Sequence, residues 1–406
     1  RDVERSRGLG DVYKRQGGTF MKNKPYFGVY LFYWMAYAVL LPYIGIIYKQ
    51  KGLTGSQIGA MSVLEAVIIP VAGGMVGLIL GRVKKIKWFI ALLPLLCMLS
   101  AIGLYLSEGI FALICSAGCL YFFQTPINDA TDRLLIARLG NNANRFSNYR
   151  LGGSGGYGIG ALLGSAITMY FSYNTLFFAY CAIMLLALGC ILLLPIPKDI
   201  FETKENKRKY SLFYLINNKF IYIYGTMLLY GFIEAAYGKF MALHIIEQGF
   251  STTLMGYMIA FTMIGEFLIF VLFPKITKHI SVECQLMISF FLGMLRLCSL
   301  TFISWFPMPV LFICQLLGGG AFAILYSTVT VLIEQTYPNE IGFAAQALKN
   351  IASNGIGYVL GSISLGIIYE QISLYTGYRL HAFVSIMAFF VFCLMFIKKK
   401  TLKGHA

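Results

Sequence analysis

The chain has 406 residues, 58% of them hydrophobic and only 12% charged, with a mean hydropathy of +0.72. A soluble domain carries about 45–50% apolar and about 25% charged residues, so this composition excludes a water-soluble enzyme or binding module and makes lipid the solvent. The net charge of +16 does not mark a nucleic-acid binder, because Lys and Arg sit in short runs between apolar stretches, as in the cytoplasmic loops of membrane proteins.

Residues 1–20 are polar, charged and without period, and they lack the apolar stretch of a signal peptide. They are set aside as a non-native or disordered tail. From Met21 onward, runs of the roughly 20 apolar residues that a crossing helix needs fall at 26–48, 57–80, 88–106, 110–138, 149–171 and 176–194, then at 220–246, 253–273, 284–306, 310–333, 343–368 and 378–397. The expectation is an all-α membrane protein of twelve transmembrane helices. It divides into a bundle over 21–197, a polar linker over 198–218, a second bundle over 219–398 and a tail over 399–406.

Charge sets the orientation. Lys22 and Lys24 precede span 1; Arg82, Lys84, Lys85 and Lys87 follow span 2; Arg138 and Arg145 follow span 4. Lys198, Lys204, Lys207, Arg208, Lys209 and Lys219 crowd the linker, Lys275 and Lys278 follow span 8, and Lys398, Lys399, Lys400 and Lys403 close the chain. The opposite loops carry few cations beyond Lys49, Lys51 and Arg379. Both termini are therefore expected in the cytoplasm of a cell-membrane protein. The nine cysteines lie almost wholly in apolar segments, with no CxxC and no Cys/His ligand spacing, so they read as reduced packing residues and no metal or cofactor is expected.

The two halves repeat each other. Gly158-Ile159-Gly160-Ala161-Leu162-Leu163-Gly164-Ser165 in span 5 matches Gly355-Ile356-Gly357-Tyr358-Val359-Leu360-Gly361-Ser362 in span 11. Gly52 and Gly59 match Gly249 and Gly256 at the same 197-residue offset (52 to 249, 59 to 256, 158 to 355). Paired six-span halves related by an axis along the membrane normal resemble the major facilitator superfamily, which implies two pseudo-symmetric bundles with a substrate site between them. The stripe Gly152, Gly156, Gly160 and Gly164 lies on one face of span 5 and predicts close helix packing. The run Gly77 to Lys85 is similar to the superfamily's loop motif G-x-x-x-D-R-x-G-R-K. Gly81 replaces its aspartate and Lys84 its second glycine, which leaves Arg82 to fix topology and bind anionic headgroups.

Ionisable residues inside apolar spans cost about 2.5–3.5 kcal/mol each at a helix centre and call for a partner or a purpose. They are Glu65 on span 2, Asp129, Asp132, Arg133 and Arg138 on span 4, Arg150 on span 5, Glu234 and Lys239 on span 7, Glu266 on span 8 and Arg296 on span 9. The segment Arg150-Leu151-Gly152-Gly153-Ser154-Gly155-Gly156-Tyr157 resembles span 5 of the lactose permease type of oligosaccharide/proton symporters and their nucleoside and phenylpropionate relatives. That resemblance implies Arg150 holding sugar hydroxyls, Asp132 pairing with it and Tyr157 stacking on a ring. Asp129 matches a Pro-x-x-Asp pattern in relatives. Ile264-Gly265-Glu266, Tyr230 with Glu234, Leu295-Arg296 and Tyr369-Glu370 resemble spans 8, 7, 9 and 11 of the same group.

Departures matter as much. Span 10 reads Leu317-Gly318-Gly319-Gly320-Ala321, without the permease's histidine and glutamate; Gly231 and Asn354 replace an acid–lysine pair of spans 7 and 11. Losing both members together leaves no buried orphan charge. The proton site is therefore assigned to Glu266 or Glu234 with Arg296 as its tuner, and the substrate site to Asp132, Arg150, Tyr157, Glu266, Asp129, Tyr33 and Asn354. Purely structural roles stay open for the Arg150–Asp132 pair, for Arg296, and for the stripe Tyr30, Tyr33, Tyr37 with Trp34. Glu65 reads as a packing or gate residue and Lys239 as lying near the outer mouth.

The expected function is proton-coupled uptake of a small polar solute, a sugar, oligosaccharide or nucleoside, by alternating access. A proton-antiporting exporter of drugs or metabolites is the alternative, and sodium the other candidate coupling ion. Expected partners are the solute, protons and membrane lipid, with no nucleic acid and a monomeric state. The four histidines lie near span ends or in tails, and no HExxH, GxSxG or P-loop is present, so neither an enzyme nor an ATP-driven pump is expected.

Overall fold

A computed structural model describes residues 23–80, 85–140, 146–196, 216, 219–276 and 280–404. The tail, Lys22, Arg82, Lys84, Arg145, Lys278 and nearly all of the linker lie outside the described residues. Among those described, no strand occurs. We number the crossing helices α1 (Lys24–Gln50), α2 (Gly55–Leu80), α3 (Ile86–Leu106), α4 (Ile110–Leu139), α5 (Phe146–Tyr170) and α6 (Thr175–Leu192) in the first half. The second half holds α7 (Phe220–Tyr237, resumed as Met241–Glu247), α8 (Thr253–Ile276), α9 (Val282–Thr301), α10 (Met308–Thr336), α11 and α12 (Leu374–Gly404). Helix α11 runs as Asn339–Asn350, a π-helical stretch Ile351–Gly357 and Tyr358–Gln371.

Eleven of the twelve are long and apolar enough to cross a membrane. Only α5 falls short in hydropathy, and its packing gives the reason. Its glycines lie against the backbone of α1: a Cβ added at Gly152 would sit 2.7 Å from the Phe27 carbonyl oxygen, and Gly156, Gly160 and Gly164 meet Leu31, Met35 and Val39 in turn. Two stripes, each with a four-residue period, thus interlock at a distance only glycine allows. At 25 residues and about 1.5 Å per residue, α5 is still about 37 Å long and spans the bilayer.

The contacts show the duplication. In the first half α1 packs on α5 and α6, α2 on α4, and α3 on α4 and α6; in the second, α7 packs on α11 and α12, α8 on α10, and α9 on α10 and α12. Between the bundles, α2 meets α11 and α8 meets α5. The sequence offset is visible in the backbone as well. Gly52 and Gly249 both take left-handed φ, 87° and 81°. The 3-10 break Leu41–Tyr43 of α1, where Pro42 removes a donor, corresponds to the break over 238–240 of α7. Gly59 faces the Ser362 carbonyl and Gly256 faces Ser165, two serines that are again 197 apart (165 to 362).

Twelve crossings put the start of α1 and the end of α12 on one face, here called the termini face. On the opposite face the bundles touch. Ser56 bonds Glu370, Thr252 donates to Thr168 at 3.1 Å, Lys49 lies 4.8 Å over the Tyr369 ring, and Lys239 pairs with Glu65. Lys51, an exception to the cation-poor loops there, donates at 2.9 Å to the carbonyls of Tyr105 and Ser107 and so caps the C-terminus of α3. The outer faces of the bundles expose Val67, Leu99, Phe111, Phe178 and Leu185 to lipid, and Trp88 and Trp305 are exposed at helix ends, where indoles favour the membrane–water boundary.

Candidate functional site

Three charged clusters line the crevice between the bundles. The first is built on α4 and α5. Asn128 and Asp132 are one turn apart on α4, and Arg150 stands near the start of α5. Its guanidinium donates to Asn128 Oδ1 at 2.9 Å and to both Asp132 oxygens, at 3.2 and 3.4 Å. Tyr30 of α1 donates to Asp132 at 2.5 Å, and its ring and that of Trp34 lie 5.6 and 5.9 Å from the guanidinium carbon. Arg150 and Asp132 keep 39% and 28% of their side chains exposed, so the pair is sided by water and can exchange partners. Tyr157, two turns further along α5, forms a ring cluster with Trp34 and Tyr37 at 6.1 and 6.0 Å.

The second cluster is built on α7 and α9. Arg296, 7% exposed, pairs with Glu234 at 3.4 Å, donates Nε–H to Gln315 of α10 at 3.1 Å and lies 3.6 Å from the centre of the Tyr237 ring. Gly318 leaves the room its stem occupies, since a Cβ there would overlap the Arg296 chain. Tyr230, Glu234, Tyr237, Arg296 and Phe322 line one cavity. Glu266 of α8 is half-buried and, among the described residues, makes no hydrogen bond or ion pair; it interacts electrostatically with Arg296, Glu234 and, from the other bundle, Arg150. Tyr157 likewise interacts with Glu234, Glu266 and Arg296. The two clusters therefore face each other across the crevice.

The third cluster closes it. Lys239, 4% exposed, follows the break in α7 and reaches across to Glu65 and to Ser62 Oγ (3.1 Å) on α2. A buried charge pair joining the two bundles is costly to break from one side only. Glu65 thus makes a direct contact between the two bundles.

Several expected site residues fall elsewhere. Tyr33 is 5% exposed and packs on Trp34 at 5.3 Å, so it belongs to the core of the first bundle. Asp129 points at α2, where a Cβ on Gly73 would come 2.7 Å from its Oδ2. Asn354 is exposed on the π-helical stretch of α11 and joins none of the three clusters. Arg296, assigned to whichever acid it approaches, pairs with Glu234 and leaves Glu266 free. Sequence reasoning missed Gln315, Tyr237 and Ser62, which carry no charge and no spacing signal. It also missed Lys349, which the rule applied to the other intramembrane charges would have found.

A twelve-helix, two-bundle fold enclosing charges contributed by both bundles defines a multi-pass membrane transporter of the facilitator type. The family model described as MFS_1 like family matches residues 25–380, and the chain belongs to that family. It is 23% identical over 385 residues to a probable 3-phenylpropionic acid transporter of Escherichia coli K12, covering 91% of this chain and 96% of that one. It is 21% identical over 368 residues to the uncharacterized transporter YwbF of Bacillus subtilis 168, covering 89% and 90%. Among solved structures, the nucleoside transporter NupG superposes with a TM-score of 0.76 at 17% identity over 92% of this chain and 98% of that one. A D-xylose-proton symporter gives 0.68 at 14% identity over 91% and 95%. At these identities the structures show the fold alone.

Proposed function

We propose that the protein takes up a small polar solute bearing a ring, of the size of a sugar or nucleoside, by proton-coupled alternating access, with the termini face in the cytoplasm. The observation that carries this reading is the pairing state of the charges. Arg150 and Arg296 are each held by an acid, whereas Glu266 interacts electrostatically with both and, among the described residues, has no hydrogen bond or ion pair of its own. A carboxyl so placed can take a proton at one membrane face and release it at the other, as the distance to either arginine changes with the tilt of the bundles. Arg150 and Asp132 supply donors and an acceptor for hydroxyls, and Trp34, Tyr37 and Tyr157 supply a ring platform. The relatives named for 3-phenylpropionic acid, nucleosides and xylose support a ring-bearing solute.

The test is uptake into proteoliposomes under an imposed pH gradient, acid outside, with a panel of labelled nucleosides, sugars and aryl acids. Accumulation of one class, abolished by a protonophore, is expected. Accumulation only under the opposite gradient would establish an exporter instead.

A further inference from the structure

One buried cation of the second bundle belongs to none of the pairs above. Lys349 of α11 is 2% exposed; its Nζ donates to Thr330 Oγ1 at 2.8 Å and lies 3.6 Å from the centre of the Tyr326 ring. Lys239 and Arg296, equally buried, each meet a carboxylate. Lys349 forms no ion pair with any described residue. Glu334, one turn beyond Thr330 on α10, acts on it only through space, and its own side chain is exposed. Removing an ammonium from water carries a large penalty that a neutral hydroxyl and a ring face offset only in part. Among the described residues, no carboxylate pairs with this ammonium.

Its surroundings indicate what would match that charge. Tyr326 is half-buried and interacts electrostatically with Arg150 of the opposite bundle. Phe322 follows one turn along α10 at 5.6 Å, and Tyr230 of α7 stacks on Phe322 at 6.1 Å, with 29° between the ring planes. Tyr230 and Phe322 line the cavity that also contains Glu234 and Arg296. An aromatic wall thus runs from the Arg296–Glu234 pair to Tyr326, and an unmatched ammonium lies against its last ring. An anion arriving at Arg150 or Arg296 must displace a resident carboxylate. At Lys349 it displaces none.

We propose that Lys349 binds the carboxylate of an aromatic solute whose ring lies on the Tyr230–Phe322–Tyr326 wall. The inference rests on the transporter reading and narrows its solute to aryl carboxylates. Tyr326 must turn aside to admit the carboxylate, which makes it the residue that sets access. The probes are phenylalkanoates with one to three methylenes, their primary amides, and uridine, scored on the purified full chain by thermal shift and equilibrium dialysis. The acids stabilise the wild type and the amides do not. Lys349→Met weakens acid binding about 30-fold or more, while its ligand-free melting temperature stays level or rises, because an apolar chain of similar volume replaces an unmatched buried charge. Lys349→Arg retains part of the acid preference. Glu334→Gln, a change at an exposed position that keeps the fold, leaves acid binding unchanged or tighter.

Equal binding of acids and amides, or undiminished acid binding by Lys349→Met, overturns the proposal. So does equal destabilisation by Lys349→Met and Glu334→Gln, which would make Glu334 the structural partner. The transporter reading fails by a separate result, the absence of carrier-mediated flux for every probe. Flux of uridine without any preference for acids sinks the carboxylate site alone.

Discussion

Neutralising Glu65 should open the face on which the bundles now touch. In Glu65→Gln, Lys239 stays 4% exposed but meets only neutral oxygens, the glutamine amide and Ser62 Oγ, with no negative charge to match it. Removing one member of a buried pair costs about 3–5 kcal/mol, and Glu65 retains 18% exposure, so the lower end, about 3 kcal/mol, applies. The loss falls on the closed face alone, because opening places Lys239 in water, where its charge is solvated. At about 1.4 kcal/mol per decade, the balance between closed and open moves roughly 100-fold. Lys239→Met should move it less, since the carboxylate it strands is the more exposed partner. The double variant Glu65→Leu with Lys239→Met, having no charge left to bury, should return towards the closed state. The assay is a pulsed electron paramagnetic resonance distance between spin labels at Thr54 and Ser251, exposed and 197 residues apart in the pseudo-equivalent α1–α2 and α7–α8 loops (54 to 251), in a background without native cysteines. A longer distance should gain population in Glu65→Gln and lose it again in the double variant. Identical distributions in all the variants would refute both the role of the pair and the claim that this face opens.

Three further outcomes follow from the geometry. Arg150→Ala removes charge-assisted hydrogen bonds worth about 1.5–3 kcal/mol each, so solute-induced thermal stabilisation should vanish while the ligand-free protein still folds; undiminished stabilisation would confine Arg150 to a structural role. Glu266→Gln should abolish accumulation driven by a pH gradient yet preserve exchange of labelled for unlabelled solute, and retained accumulation would move the proton site to Glu234. Gly59→Val presses on the Ser362 carbonyl and Gly256→Val on the Ser165 hydroxyl and the Ala161 carbonyl, at pseudo-equivalent positions of the two halves. Both should lengthen the Thr54–Ser251 distance to a similar extent, and a one-sided effect would contradict the equivalence of the two interfaces.

Much of the fold was legible because lipid imposes a length and a composition on every crossing helix. The glycines at 52, 59 and 158 and their partners at 249, 256 and 355 revealed the repeat, and the structure shows why two of these pairs stayed glycine: Gly52 and Gly249 need left-handed backbone, Gly59 and Gly256 a close approach. Helix breaks were not legible. Span 7 reads as one apolar run, yet the chain leaves the helix over 238–240, within the break that carries Lys239 to Glu65 of the other bundle. Charges could be found from sequence, but only one of their pairings could. Asp132 with Arg150 followed from family spacing, whereas Arg296 with Glu234 depends on the rotation of α7 and α9 and on the room left by Gly318. The burial of Tyr33 was not legible for a similar reason: a stripe of period 3.6 gives a face, and only packing says whether that face meets a cavity or a neighbouring helix.

Solute counterflow tests the central claim most directly. Proteoliposomes loaded with an unlabelled solute are diluted into a trace of the same solute, labelled, with no ion gradient imposed. A carrier that exposes one site alternately to the two faces will draw label inward transiently in proportion to the internal load. Label entry that ignores the load, as through a pore, or that never exceeds protein-free vesicles for any solute in the panel, would contradict alternating access by this chain.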